Sequence, residues 1–191
     1  MNYSVAAESS IMPEFREFKK IPRYNREVIV TEKIDGTNAQ VMITEDGQVL
    51  AGSRNRWLSA DADNFGFHAW VTEHSKELRQ LGVGRHFGEW WGKGIQRGYN
   101  QSCRRFSLFN TERWEDSRVR PACCDVVPIL WRGMFCEFDM VVRLHDLTMN
   151  GSRAAPGFMD PEGIVIFHAA GNTGFKVTLK NDHEPKSRQV K

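Results

Sequence analysis

The apolar positions change period several times along the chain, and each change marks an element. Val28-Ile29-Val30 is a continuous β-branched run, the pattern of a buried strand. Residues 39–44 and 49–53 read as two further strands, joined by a hairpin turn at Asp46-Gly47. Over residues 63–81, Phe67, Trp70, Val71, Leu78 and Leu81 fall mostly on one face at helical spacing. That spacing predicts one helix, capped by Asp63 or Asn64 and stopped by Gly82. His68 and His74 lie on it six apart, wrong for shared metal ligation, and read as surface residues.

The strand near Glu89 is aromatic and passes into the glycines Gly92, Gly94 and Gly98, which allow a ligand close to the backbone. Residues 105–110 alternate like a half-buried strand, with Phe106 in the core. Residues 111–125, with Trp114 and Pro121, read as a surface loop, and 126–131 as a short strand. Apolar residues at 138, 141, 142 and 144 suggest a helix over 135–147, and 148–161 is a loop rich in Gly, Ser, Ala and Pro. Strands at 164–167 and 174–180 close the pattern. Residues 1–27 are polar with a few apolar anchors, among them Phe15, Phe18 and Ile21, and Pro22 bars a helix; they predict a lead-in packed on the sheet.

Chemically active residues fall at the mouths of these strands. Lys33 ends an apolar strand two residues before Asp35-Gly36, where it must be paired or shed its proton, and a neutral amine is a nucleophile. Arg54 closes the third strand, where an arginine can meet phosphate or sugar. Glu89 lies on the aromatic strand, where a carboxylate needs a partner or a task. Glu162-Gly163 opens a fully apolar strand. Lys176, Thr178 and Lys180 share one face if their strand keeps its alternation.

Glu32-Lys33-Ile34-Asp35-Gly36-Thr37-Asn38 resembles the nucleotide-binding motif of the covalent nucleotidyltransferases, and Thr37-Asn38 resembles their RNA ligase branch. Five motifs follow the family's order from about residue 20 onward. The resemblance implies that Lys33 forms lysyl-AMP from ATP, with Glu32, Asp35 and Asn38 in the same nucleotide-binding motif. It implies that Arg54 lies near the nucleotide, that Glu89 holds the ribose and that Glu32 reads adenine. Phe109 is expected to stack on adenine, with Asn110 standing where relatives often carry aspartate. Glu162 would act on Mg²⁺ (or Mn²⁺) or its waters, and Lys176 on the phosphates, with Lys180 a substitute for the second lysine of a Lys-x-Lys pair. The implied fold is α+β: a nucleotidyltransferase domain, ATP-grasp-like, of two antiparallel β-sheets with flanking helices around a nucleotide cleft. The implied substrate is RNA with 5′-phosphate and 3′-hydroxyl ends, with DNA or mixed strands as alternatives. The rival readings are a DNA nick ligase, a transferase of AMP to another acceptor such as protein, and a non-catalytic module that binds nucleotides or RNA ends.

Composition narrows this little. The 191 residues suit one domain, and 40% apolar content suits a globular core. A net charge of +2 leaves phosphate binding to local clusters such as Arg104-Arg105 or Lys186 with Arg188. No apolar run reaches the roughly 20 residues of a membrane helix, and Met1 to Ser10 is no secretory signal. The four cysteines form neither a zinc pattern nor a disulfide framework; they read as reduced thiols of a cytoplasmic protein. About a dozen residues follow the last lysine motif, so the reading is a single adenylation domain over 1–191, without a C-terminal OB-fold or helical domain, with a protein partner one way to supply strand binding.

Overall fold

The computed structural model describes residues 12–183. The basic residues Lys186 and Arg188, and Met1 to Ser10, lie outside them. Two sheets carry the fold. One has the order β7-β1-β8-β9, built from β1 (Glu27–Lys33), β7 (Ile129–Met134), β8 (Gly163–His168) and β9 (Thr173–Thr178), all antiparallel. The other has the order β3-β2-β4-β5-β6, from β2 (Thr37–Ile43), β3 (Val49–Ser53), β4 (Gly84–Gly92), β5 (Arg104–Leu108) and β6 (Asp125–Val126). The expected α+β architecture is present, with one correction: β6 pairs parallel to β5, so the second sheet is mixed.

The strand read over 126–131 is two strands. Pro128 cannot donate to a ladder, and the chain changes sheets there. β6 ends on β5, β7 begins on β1, and the carbonyl of Pro128 accepts the Glu32 N–H at 3.0 Å.

Alternation sorts the side chains. In the second sheet Ala39, Val41, Ile43, Trp90, Phe106 and Leu108 point into one core. The helix read over 63–81 covers it as two short helices, α1 (Phe67–Glu73) and α2 (Ser75–Leu78), followed by a 3₁₀ turn that Gly82 ends. The break is at His74, whose N–H and ring Nδ1 both reach the Trp70 carbonyl, at 3.0 and 2.9 Å. His68 and His74 are half-buried, not surface residues, and His74 stacks on Trp70. The N-cap position falls on Gly66, not on Asp63 or Asn64, yet the Asp63 carboxylate accepts the first-turn N–H groups of His68 and Ala69.

The loop read over 111–125 begins with α3 (Thr111–Trp114), capped by Asn110 through the Arg113 N–H. That turn buries Trp114 in the core instead of exposing it. In the first sheet Val28, Val30, Ile164 and Ile166 meet Leu147 of α4 (Met140–Asn150), which starts five residues later than expected behind an Asp139 cap. Its expected apolar face is wrong in part, since Val141 and Val142 are exposed. The lead-in also departs from expectation: Phe15, Phe18 and Ile21 are exposed, and docking begins only at Tyr24, which packs on Phe135. No helix among the described residues is long and apolar enough to cross a membrane.

Candidate active site

A cleft of about 1030 Å³ runs between the two sheets. From the first sheet it is lined by Ile29, Thr31 and Lys33 of β1, Val165 and Phe167 of β8, and Lys176 of β9. From the second come Asn38, Glu89 and Phe87, with Arg54 and Phe109 just past their strands. The odd-numbered positions of β1 face the cleft because its even ones, Val28 and Val30, are committed to the core beneath.

Lys33 and Glu162 meet across the end of the β1–β8 ladder. Lys33 pairs in register with Gly163, and Lys33 Nζ donates to Glu162 Oε2 at 2.6 Å. Glu162 is buried and Lys33 partly so. Gly163 is obligatory between them, because a Cβ there would lie 2.1 Å from the Val177 carbonyl oxygen.

Glu89 faces this pair from β4. Its Oε1 accepts the Gly36 N–H at 3.1 Å and its Oε2 accepts Asn38 Nδ2 at 3.2 Å. Burial drives its carboxyl up to about 7 from an ordinary 4.5, against the opposing pull of Lys33 and the Gly36 N–H. Gly36 has to lack a side chain, since a Cβ would sit 2.5 Å from the Trp90 carbonyl oxygen. Phe109 follows β5 and is 41% exposed on the cleft wall, whereas Phe106 is fully buried in the core, as its alternation requires.

Lys33, Asn38, Arg54, Glu89, Phe109 and Lys176 therefore line one cleft, with Glu162 behind Lys33. Of the other predicted residues, Asp35 and Lys180 do not line the cleft, and Glu32 lines it while its carboxylate turns to the opposite face of β1. Its Oε1 accepts Ser152 Oγ–H at 2.6 Å, and its Oε2 accepts the N–H groups of Arg153 and Ala154 at 2.7 and 2.9 Å. That carboxylate is bound by the 152–154 loop and anchors it. The alternation that aims Lys33 into the cleft aims Glu32 away from it, a signal present in the sequence. Asp35 is buried in the turn beyond β1 and accepts Arg97 Nε at 3.0 Å. Lys180 lies past the end of β9, where alternation no longer holds, and its Nζ binds Asp160 Oδ1 at 2.7 Å. The sequence reading missed Arg97, Tyr99 (whose Oη accepts the Asp35 N–H) and the 152–154 loop.

The family model described as RNA ligase matches residues 26–181, most of the chain and every cleft residue named above. The chain belongs to the RNA ligase family. Solved structures agree on the fold. A Naegleria gruberi RNA ligase variant with ATP and Mn is 21% identical at a TM-score of 0.61, covering 82% of this chain and 51% of that one. A second variant, without ligand, is 22% identical at 0.57, covering 81% and 50%. A third, with AMP and Mn, is 19% identical at 0.55, covering 81% and 50%. This member of the family thus spans about half the length of those ligases. No curated protein sequence matches it significantly.

Proposed function

We propose that this RNA ligase family member is an ATP-dependent RNA ligase that works through lysyl-AMP. The observation that carries the reading is Lys33 Nζ on Glu162 at 2.6 Å, at the end of a cleft whose other wall presents Glu89, Asn38 and Phe109. Attack requires the lone pair of Nζ, and Glu162 is placed to take the proton that Nζ sheds. The Nζ–phosphorus bond forms at the α-phosphate as the bridging phosphorus–oxygen bond breaks, and pyrophosphate leaves with that electron pair. Lys176, exposed on the wall beside β8, offers its charge to the phosphates. Glu89, held by Gly36 and Asn38, retains lone pairs for ribose hydroxyls. Phe109 from the second sheet and Val165 from the first both line the cleft and offer it apolar surface for the base. Arg54 meets the nucleotide from the rim.

A divalent cation fits this donor set in one way. Among the described residues no group of three or more His, Cys, Asp or Glu converges to hold a metal. Mg²⁺ or Mn²⁺ would therefore be held largely by triphosphate oxygens and water, with Glu162 a carboxylate that would act on the ion or its waters; bound there, it would neutralise phosphate charge. In the second step an oxygen of a 5′-phosphate RNA end attacks the lysyl-AMP phosphorus. The nitrogen–phosphorus bond breaks, and Nζ regains its pair and a proton. A 3′-hydroxyl then attacks the activated end, losing its proton, and AMP departs.

The test is incubation with α-labelled ATP and Mg²⁺, followed by denaturation, beside Lys33→Ala. Acid-labile label on the wild type alone is expected. No label on folded protein that is not already adenylated overturns the proposal.

A further inference from the structure

Lys33 and Glu162 sit where backbone pairing ends. Lys33 is the last residue of β1, and Glu162 precedes the first residue of β8. The Lys33–Gly163 pair is the last rung between the two strands, and the chain leaves it as the 34–36 turn on one side and the 160–162 segment on the other. One side chain from the loop between β4 and β5 spans both exits. Arg97 Nε donates to Asp35 Oδ2 at 3.0 Å, and its Nη1 donates to the carbonyl oxygens of Asp160 and Pro161 at 2.8 and 3.0 Å. Lys180 Nζ also holds Asp160, through Oδ1 at 2.7 Å.

The loop that delivers Arg97 is tightly specified. Gly94, Gln96, Gly98, Tyr99 and Asn100 all carry positive φ, a region that non-glycine residues avoid unless their surroundings enforce it. Tyr99 is fully buried, packs on Phe158 and accepts the Asp35 N–H at 2.9 Å. The loop thus grips the turn after the nucleophile twice and the segment before Glu162 twice. A guanidinium suits this task because its fork fixes several acceptors in one plane, which an ammonium cannot do.

We propose that Arg97 is a positioning residue for adenylation: it bridges the Asp35 turn and the Asp160-Pro161 segment and so holds Lys33 in register with Glu162. This rests on the lysyl-AMP reading above. Arg97 is not among the residues that line the cleft, so its loss should spare nucleotide binding and disturb the aim of the nucleophile. A displacement near 1 Å at a reacting atom lowers rates on the order of 100-fold.

The experiment is single-turnover formation of labelled lysyl-AMP at varied ATP in the full chain, comparing wild type, Arg97→Lys and Arg97→Ala. Circular dichroism shows each to be folded at the assay temperature. The expected result is a fall in the maximal rate, roughly 10- to 100-fold for Arg97→Ala and less for Arg97→Lys. Half-saturating ATP should stay within about threefold, and millimolar methylguanidinium should partly restore Arg97→Ala. An unchanged maximal rate with only a lower melting temperature overturns the assignment, as does a rise in half-saturating ATP at constant rate. Unfolding of both variants overturns it too, since Arg97 would then hold the fold and not the reacting pair. If the wild type itself takes up no label, the functional reading has failed, a result distinct from all of these.

Discussion

Replacing Glu89 with glutamine tests the electrostatics of the cleft without depending on catalysis. In the folded protein burial holds this carboxyl up to about 7, whereas an exposed one titrates near 4.5. The native state therefore binds the Glu89 proton more tightly than the unfolded chain does. Stability from this group is complete below 4.5 and falls as pH rises toward about 7, above which the loss is constant. At 1.36 kcal/mol per pH unit, the gap between the two values amounts to about 3 kcal/mol. About 2.5 kcal/mol of that loss falls between pH 5 and pH 8. Glutamine keeps the shape and an acceptor for the Gly36 N–H, and Asn38 can turn its amide to meet the new NH₂. Urea unfolding at several pH values should show wild type losing stability relative to Glu89→Gln by about that amount across the window. Parallel curves for the two proteins would refute the reasoning, and so would a wild type that gains on the variant as pH rises.

Further outcomes follow from single contacts. Ser152→Ala deprives the buried Glu32 Oε1 of its donor and should cost about 1–3 kcal/mol in urea unfolding, with label from ATP retained at temperatures where the variant stays folded. Gly163→Ala drives a methyl into the Val177 carbonyl at a φ of +154°, and should give no folded protein by circular dichroism. Phe109→Ala should raise half-saturating ATP roughly 2- to 12-fold, the equivalent of about 0.5–1.5 kcal/mol of ring stacking, with the maximal adenylation rate nearly constant. Trp114→Ala empties a core site and should destabilise by about 3–5 kcal/mol, an effect absent if Trp114 were the loop residue its neighbours suggest.

Strand content was legible because a buried strand leaves a continuous or alternating apolar run, as in β1, β2, β5 and β8. The identity of the cleft residues was legible because motif glycines and acids stand at the ends of those runs. What was hidden depended on partners distant in sequence. Trp114 sits in a polar stretch and looks exposed; its burial comes from the Asn110 cap, which turns four residues into a helix against the core. The amphipathic period over 63–81 was real, yet it could not report a histidine competing for a carbonyl at the helix centre. Val141 and Val142 met the period of a helix while facing away from the one residue of α4 that is fully buried, Leu147. Lys180 was misplaced for a simpler reason: alternation was carried two residues beyond the end of its strand.

The pair Glu32-Lys33 shows how a single strand can serve stability and chemistry at adjacent positions. Period two sends one charge into each face, and each face answers it differently. On the core side Glu32 is met by a hydroxyl and two backbone N–H groups, donors that carry no net charge, and the 152–154 loop is fixed in return. On the cleft side Lys33 is met by one carboxylate, from the segment that follows that same loop. Residues 152–162 therefore anchor to β1 twice, first through Glu32 and then, ten residues later, through Lys33. A neutral set of donors suits the first anchor, which has no reason to change its bonding. On the lysyl-AMP reading a carboxylate suits the second, because the nucleophile must exchange that bond for one to phosphorus, while the Glu32 anchor and the bonds of Arg97 to the 160–161 carbonyls keep the loop in place.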